Sequence, residues 1–171
     1  KLVDYDHLEN NTFIATNQYP IEGTKNIRPD IILLVNGIPV IIIEAKSPVL
    51  NSVDYRDGIK QIKRYQEVAS RLFIYNQFNI ATDGLKFKYG TTTSKDVHYL
   101  EWKGLSKKDI ENYGITPLKV ATKTMLKPET VLDIIQNFIL FQDKENQRIK
   151  IICRYQQYRA VNKIVNRVLE G

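Results

Sequence analysis

An α/β (α+β) domain is the fold this sequence predicts: a central mixed sheet flanked by helices, with a helical extension at the C-terminal end. Three observations carry that expectation. Ile31-Ile32-Leu33-Leu34-Val35 and the run from Ile38 to Ile43 are apolar, β-branched and strand-length. Asn36-Gly37 stands between them, the strongest short hairpin signal a sequence offers. Tyr55, Ile59, Ile62, Tyr65 and Ala69 follow at spacings of four, three, three and four, which lays one apolar stripe along a helix.

The elements follow in chain order. From Phe13 to Tyr19 the residues Phe13, Ala15 and Asn17 alternate with Ile14, Thr16 and Gln18, which predicts a strand. Tyr19-Pro20-Ile21-Glu22-Gly23 reads as a turn. The two apolar runs lack the polar alternation of a half-exposed strand, so both belong in the middle of a sheet with helices against it. Pro48 ends the second run, and Ser52 or Asp54 is placed to cap the helix that follows. Phe78 to Thr82 predicts a further strand closed by Asp83-Gly84, and Leu85 to Tyr89 and Val97 to Trp102 are candidate strands around a Thr/Ser/Gly turn. Thr130 to Phe141 reads as helix through Val131, Ile134, Ile135, Phe138 and Ile139; Gln156 to Leu169 reads as a last helix through Tyr158, Val161, Ile164, Val165 and Val168.

Composition narrows the class without naming a function. The 171 residues are 43% hydrophobic and 26% charged, which is ordinary for a globular chain and excludes wholesale disorder. No apolar run approaches the roughly 20 residues of a membrane span. Cys153 is the single cysteine, which rules out an internal disulfide and, with only His7 and His98 beside it, makes structural zinc a poor expectation. No signal-peptide pattern is present, and the first residue is Lys1 rather than Met, so a fragment is expected; the single cysteine suits a reducing compartment. The net charge of +6 is uneven: residues 1–85 carry −1 and residues 86–171 carry +7. A basic half suits a polyanion partner, yet many basic domains are only soluble surfaces.

Three charged residues sit where charge is costly. Asp30 opens the first apolar run, and Glu44 and Lys46 close the second, in Ile43-Glu44-Ala45-Lys46. Residues two apart on a strand point the same way, so Glu44 and Lys46 share a face. Hairpin register decides whether Asp30 joins them. A two-residue loop at Asn36-Gly37 pairs Asp30 with Ile43 and sets the two acids on opposite faces. A three-residue loop pairs Asp30 with Ile42 and brings Glu44 diagonally onto the same face. Convergence therefore requires an odd-length loop or a bulge, and a flat two-residue hairpin excludes it. If the acids converge, two carboxylates with open positions suit Mg²⁺, and the Lys46 ammonium can position the attacking water or stabilise a phosphorane. The bland alternative is a buried ion pair. On the next helix Gln61 and Tyr65 are four apart and stack on one face, where Tyr65 also reads as core.

Taken together, Arg28-Pro29-Asp30 followed by Glu44-Ala45-Lys46 resembles the PD-(D/E)xK nuclease motif, and Gln61-Ile62-Lys63-Arg64-Tyr65 resembles the QxxxY motif that accompanies it in type I restriction endonucleases. Asn17-Gln18-Tyr19, Asn36-Gly37-Ile38-Pro39 and Ser47-Pro48 add to the likeness to the R (restriction and motor) subunit. Arg154-Tyr155-Gln156-Gln157-Tyr158-Arg159-Ala160-Val161 looks like the segment that opens its ATP-driven translocase. The resemblance implies a restriction-endonuclease-like sheet, with residues 1–145 as the nuclease domain and 146–171 as linker and first helix of a truncated motor. It implies Mg²⁺ on Asp30 and Glu44, hydrolysis assisted by Lys46, Gln61 and Tyr65 supporting the site or the DNA, and Gln157 reading adenine. Glu9 is the sole candidate for the acid that the family often carries before its first strand.

The implied activity is endonucleolytic cleavage of double-stranded DNA in the prokaryotic cytoplasm, beside modification and specificity subunits, with no membrane partner. ATP belongs to the full-length subunit alone, because no GxxxxGK[ST] loop occurs here. The alternatives are another PD-(D/E)xK nuclease, such as a resolvase or repair enzyme, and a non-catalytic DNA-binding or assembly domain. Lys86, Lys88, Lys95, Lys103, Lys107, Lys108, Lys119, Lys123 and Lys127, interleaved with Tyr89, Tyr99, Trp102 and Tyr113, read either as a surface that tracks phosphates or as a solvated face.

Overall fold

A computed structural model of the chain describes residues 2–47, 49, 52–104 and 116–171. The expected strand stop at Pro48 and the positions Lys107, Lys108 and Tyr113 lie outside them. Six strands form one sheet in chain order: β1 (Phe13–Asn17), β2 (Ile31–Val35), β3 (Ile38–Ala45), β4 (Phe78–Thr82), β5 (Phe87–Gly90) and β6 (Leu100–Glu101). Every neighbouring pair is antiparallel except β3 and β4, which run parallel. A parallel step needs a long crossover, and helix α1 (Tyr55–Val68) is part of it. The mixed sheet expected from the sequence is present, with the two apolar runs inside it.

Its two faces bury different things. Ile41, Ile43, Phe78, Ile80 and Tyr89 point to one side, where they meet Met125 and Ile134. These come from beside and within α2 (Pro117–Thr124) and α3 (Pro128–Asn137). Ile32, Ile42 and Ala81 point to the other side, under Ile59, Ile62 and Tyr65 of α1. Asp54, not Ser52, caps α1: its carboxylate accepts from Arg56 N at 2.7 Å, and Asp57 returns the bond to Asp54 N at 3.0 Å. Gly58 lets the helix come close, because a Cβ there would stand 3.2 Å from that of Ala81 and 3.5 Å from that of Glu44.

The secondary structure of the C-terminal half differs from the one expected. The helix expected over Thr130–Phe141 ends at Asn137, and Ile139, Leu140 and Phe141 belong to β7 (Ile139–Lys144), which pairs with β8 (Gln147–Ile152) in a separate hairpin. The apolar spacing of α3 runs on into β7, so periodicity could not mark the change; pairing with β8 made it. The division expected after residue 145 falls in the turn of this hairpin. The strand expected over Val97–Trp102 is only Leu100–Glu101, after a short 3₁₀ turn at Asp96–His98. Tyr89, Tyr99 and Trp102 are buried and do not line a basic surface. Trp102 can be buried because its indole N–H donates to Thr124 Oγ1 at 2.9 Å. Lys88 meets Glu101 at 2.7 Å and Lys127 meets Glu129 at 3.8 Å.

The last helix, α4 (Tyr155–Glu170), is tied down at its start. Tyr155 and Tyr158 each lie 5.1 Å from the Trp102 ring, Tyr158 lies 4.9 Å from Phe138, and the Tyr89 hydroxyl donates to the Cys153 carbonyl at 2.8 Å. Further along, Val161, Ile164, Val165 and Val168 are exposed.

Candidate active site

Hairpin register brings the acids together. The loop is the two-residue one: Asn36 and Gly37 both take positive φ, 52° and 80°, and Val35 pairs with Ile38. Left flat, that loop would set Asp30 opposite Ile43. The register shifts instead between Leu33 and Leu34, so Leu33 pairs with Ile41 and Ile31 with Ile43. Val40 is the extra residue, and it and Ile41 both face the same core cluster, as the two residues of a bulge do. Asp30, just before β2, is thereby carried opposite Glu44. The bulge required for convergence is present; it lies inside β3 and not at the turn, and it makes the acids direct partners where the three-residue loop would have made them diagonal.

The contacts follow from that register. Asp30 N–H donates to Glu44 Oε1 at 3.3 Å, and Ala45 N–H donates to Asp30 Oδ2 at 2.8 Å. Glu44 has no solvent exposure, and its Oε2 has no hydrogen-bond donor among the described residues. Lys46 Nζ lies 3.5 Å from that oxygen. Burial, and then the negative charge of Asp30, push the Glu44 carboxyl up to about 7, against a smaller opposing pull from Lys46.

A chain of polar contacts fixes the lysine. Lys46 Nζ donates to Gln61 Oε1, Gln61 Nε2 donates to the Tyr65 hydroxyl, and that hydroxyl donates to the Arg28 carbonyl at 3.4 Å. The (i, i+4) pair on α1 thus links Lys46 back to the segment entering β2. Tyr65 is also core, as its stripe position implied, and burial raises its hydroxyl above the usual range. The structure brings Asp30, Glu44, Lys46, Gln61 and Tyr65 into one cluster.

Two candidates stand elsewhere. Glu9 is exposed, 3.6 Å from His7, and precedes the end of β1 that pairs with Val35, the far end of β2 from Asp30. Gln157 lies in the first turn of α4, whose tyrosines pack on the Ile41 and Ile43 face, away from Glu44. Its Oε1 accepts from Arg154 N–H at 2.8 Å, and it lines a groove of about 300 Å³ with Thr93, Ser94, His98 and Arg154.

One site residue escaped the sequence reading. Gln18 Nε2 donates to Asp30 Oδ1 at 2.6 Å. It was visible only as one letter in Asn17-Gln18-Tyr19; its place opposite Asp30 comes from the pairing of β1 with β2, in which Asn17 meets Ile31.

The donor set fits a hard divalent ion. A buried carboxylate oxygen that accepts no hydrogen bond and has only a lysine at 3.5 Å is costly, and a cation held closer lowers the cost. Among the described residues no group of three or more His, Cys, Asp or Glu is arranged to hold a metal ion. Two carboxylates alone match Mg²⁺, which keeps several waters, better than zinc.

A family model described as the N terminus of the type I restriction enzyme R protein matches residues 1–98. The chain belongs to that family. It is 34% identical over 171 residues to the type I restriction enzyme HindI endonuclease subunit of Haemophilus influenzae, covering 97% of this chain and 16% of that protein. It is 27% identical over 172 residues to the type I restriction enzyme SsaAORF53P endonuclease subunit of Staphylococcus saprophyticus, covering 98% of this chain and 17% of that protein. The chain spans about a sixth of the length of these relatives. Among its described residues no helix is long and apolar enough to cross a membrane.

Proposed function

We propose that this chain is the nuclease part of a type I restriction enzyme R subunit and that it hydrolyses phosphodiester bonds of double-stranded DNA with Mg²⁺. The observation that carries the proposal is the meeting of Asp30 with Glu44 across β2 and β3, with the Lys46 ammonium 3.5 Å from the Glu44 oxygen that has no hydrogen-bond donor among the described residues. Asp30 and Glu44 are the residues that would hold the ion. Mg²⁺ bound there supplies a Lewis acid that lowers the pKa of water and neutralises charge on a phosphate oxygen.

The chain's own groups do the rest. Lys46 is largely shielded from solvent and held by Gln61, so its charge is fixed where the attacking water is positioned or the phosphorane is stabilised. Tyr65 anchors Gln61 to the Arg28 carbonyl and keeps the lysine from swinging out. Gln61 and Tyr65 act on Lys46 and not on the ion.

Duplex DNA is the proposed substrate, with modification and specificity subunits as partners in the cytoplasm of a prokaryote. The names of the relatives as endonuclease subunits support this. Residues 146–171 are proposed to lead into the motor, where Gln157 contacts adenine and the remaining chain hydrolyses ATP. The +7 of residues 86–171 supports sequence-independent DNA binding that weakens steeply with salt.

The test uses the assembled restriction complex. Lys46→Ala and Asp30→Ala each lower DNA cleavage by a factor on the order of 10³ or more, while DNA binding and ATP hydrolysis stay at the unmodified level. Cleavage at the normal rate in either variant contradicts the proposal.

A further inference from the structure

We propose that Gln18 is a positioning residue for the Asp30 carboxylate, an inference that rests on Asp30 and Glu44 being ion ligands. Its side-chain amide N–H donates to Asp30 Oδ1 at 2.6 Å, and its backbone N–H donates to the Asp30 carbonyl at 3.0 Å. Ala45 N–H takes the other carboxylate oxygen at 2.8 Å. The two donors clamp the carboxylate from both sides and leave it one orientation.

The backbone of Gln18 points the same way. Its φ of 50° is a left-handed conformation that only glycine adopts without cost. A strained non-glycine residue persists where its surroundings fix it, and such residues gather at functional sites. Gln18 is exposed and fills no core, so packing does not explain the choice of side chain. What the side chain provides is a neutral donor. A lysine or arginine there would also hold Asp30, but would place a second positive charge next to the ion and oppose its binding. An amide orients the carboxylate and leaves its charge for the ion. Partners that orient a ligand in this way commonly govern metal affinity by about 10–100-fold.

Mn²⁺ titration by calorimetry, on the full chain without nucleotide, tests this beside a thermal melt of each variant. Gln18→Gly removes the amide while relieving the left-handed strain, and Gln18→Ala removes the amide alone. Both are expected to weaken Mn²⁺ binding about tenfold. The Gly variant melts at or above the parent temperature, so its loss of affinity cannot be a loss of fold. Asp30→Ala abolishes binding. Parent affinity in Gln18→Gly together with lost binding in Asp30→Ala overturns the role of Gln18 and leaves the ion site standing. Parent affinity in Asp30→Ala overturns the site and Gln18 with it. Affinity that falls only in step with melting temperature in both Gln18 variants also overturns the inference.

Discussion

Two hairpins in this chain share a loop length and differ by one residue. β2–β3 turns through Asn36 and Gly37, β7–β8 through Glu145 and Asn146, and all four residues have positive φ. β7–β8 keeps a single register from Lys144 opposite Gln147 to Ile139 opposite Ile152, whereas β2–β3 loses one step at Val40. The flat hairpin is a peripheral ribbon in which five of the six β7 residues are exposed. The bulged one lies inside the large sheet and carries Asp30 and Glu44 on one face. The apolar content and turn of a hairpin do not decide whether its acids converge; the parity of residues between them does.

The largest expected difference between the hairpins is catalytic. Asp30→Ala reduces cleavage by the assembled complex on the order of 10³-fold or more, whereas Phe141→Ala, on an exposed position, leaves it within about twofold. A comparable loss at Phe141 would mean that the peripheral hairpin takes part in the chemistry. Packing gives the next difference. Ile42 is fully buried under α1, so Ile42→Ala costs about 2–5 kcal/mol in chemical denaturation, against less than about 0.5 kcal/mol for Leu140→Ala at 64% exposure. Equal losses would contradict the division into an inner and an outer hairpin.

Electrostatics gives a smaller effect of opposite sign. The folded Glu44 carboxyl is raised from 4.5 to about 7 by burial first, so the stability it confers is fully present below about 4.5 and is lost as pH rises through about 7. In ion-free buffer at pH 8, Glu44→Gln therefore stabilises the protein by on the order of 1–3 kcal/mol, and the gain vanishes near pH 4.5. Added Mg²⁺ raises the melting temperature of the parent and not that of the variant. A destabilised Gln variant at pH 8 would show that Lys46 outweighs burial. The turns give the smallest effect: Gly37→Ala, at φ 80°, costs about 1–2 kcal/mol, while Asn146→Gly, at φ 64°, changes stability by less than about 0.5 kcal/mol. Denaturant midpoints check both.

What the sequence disclosed follows the same contrast. The strands, the Asn36-Gly37 turn, the Asp54 cap and the stacking of Gln61 on Tyr65 are local, and propensity and spacing find local features. The acids could be named and their convergence made conditional on a bulge, but Val40 could not be singled out, because a bulge is the outcome of competing registers across two strands. β7 was hidden because Ile139, Leu140 and Phe141 continue the apolar spacing of α3, and Glu145-Asn146 has no glycine to mark a turn. Gln18 was invisible as a site residue because its partner is twelve positions away on another strand. Trp102, Tyr89 and Tyr99 sit among lysines in the sequence, and only tertiary contacts show them buried: Trp102 on the Thr124 acceptor with Tyr155 and Tyr158, Tyr89 against Trp102 and the Cys153 carbonyl, and Tyr99 in the cluster of Ile59, Ile62 and Ala81.

One bulge brings together two acids that a flat hairpin would hold apart, and these are the acids proposed to hold the ion. A crystal structure grown with Mn²⁺, read by its anomalous signal, tests this most directly. One strong peak is expected at the Asp30 and Glu44 carboxylates, with no comparable peak on β7–β8. A map with no peak at Asp30 and Glu44, from crystals that hold Mn²⁺ at other carboxylates, would contradict it.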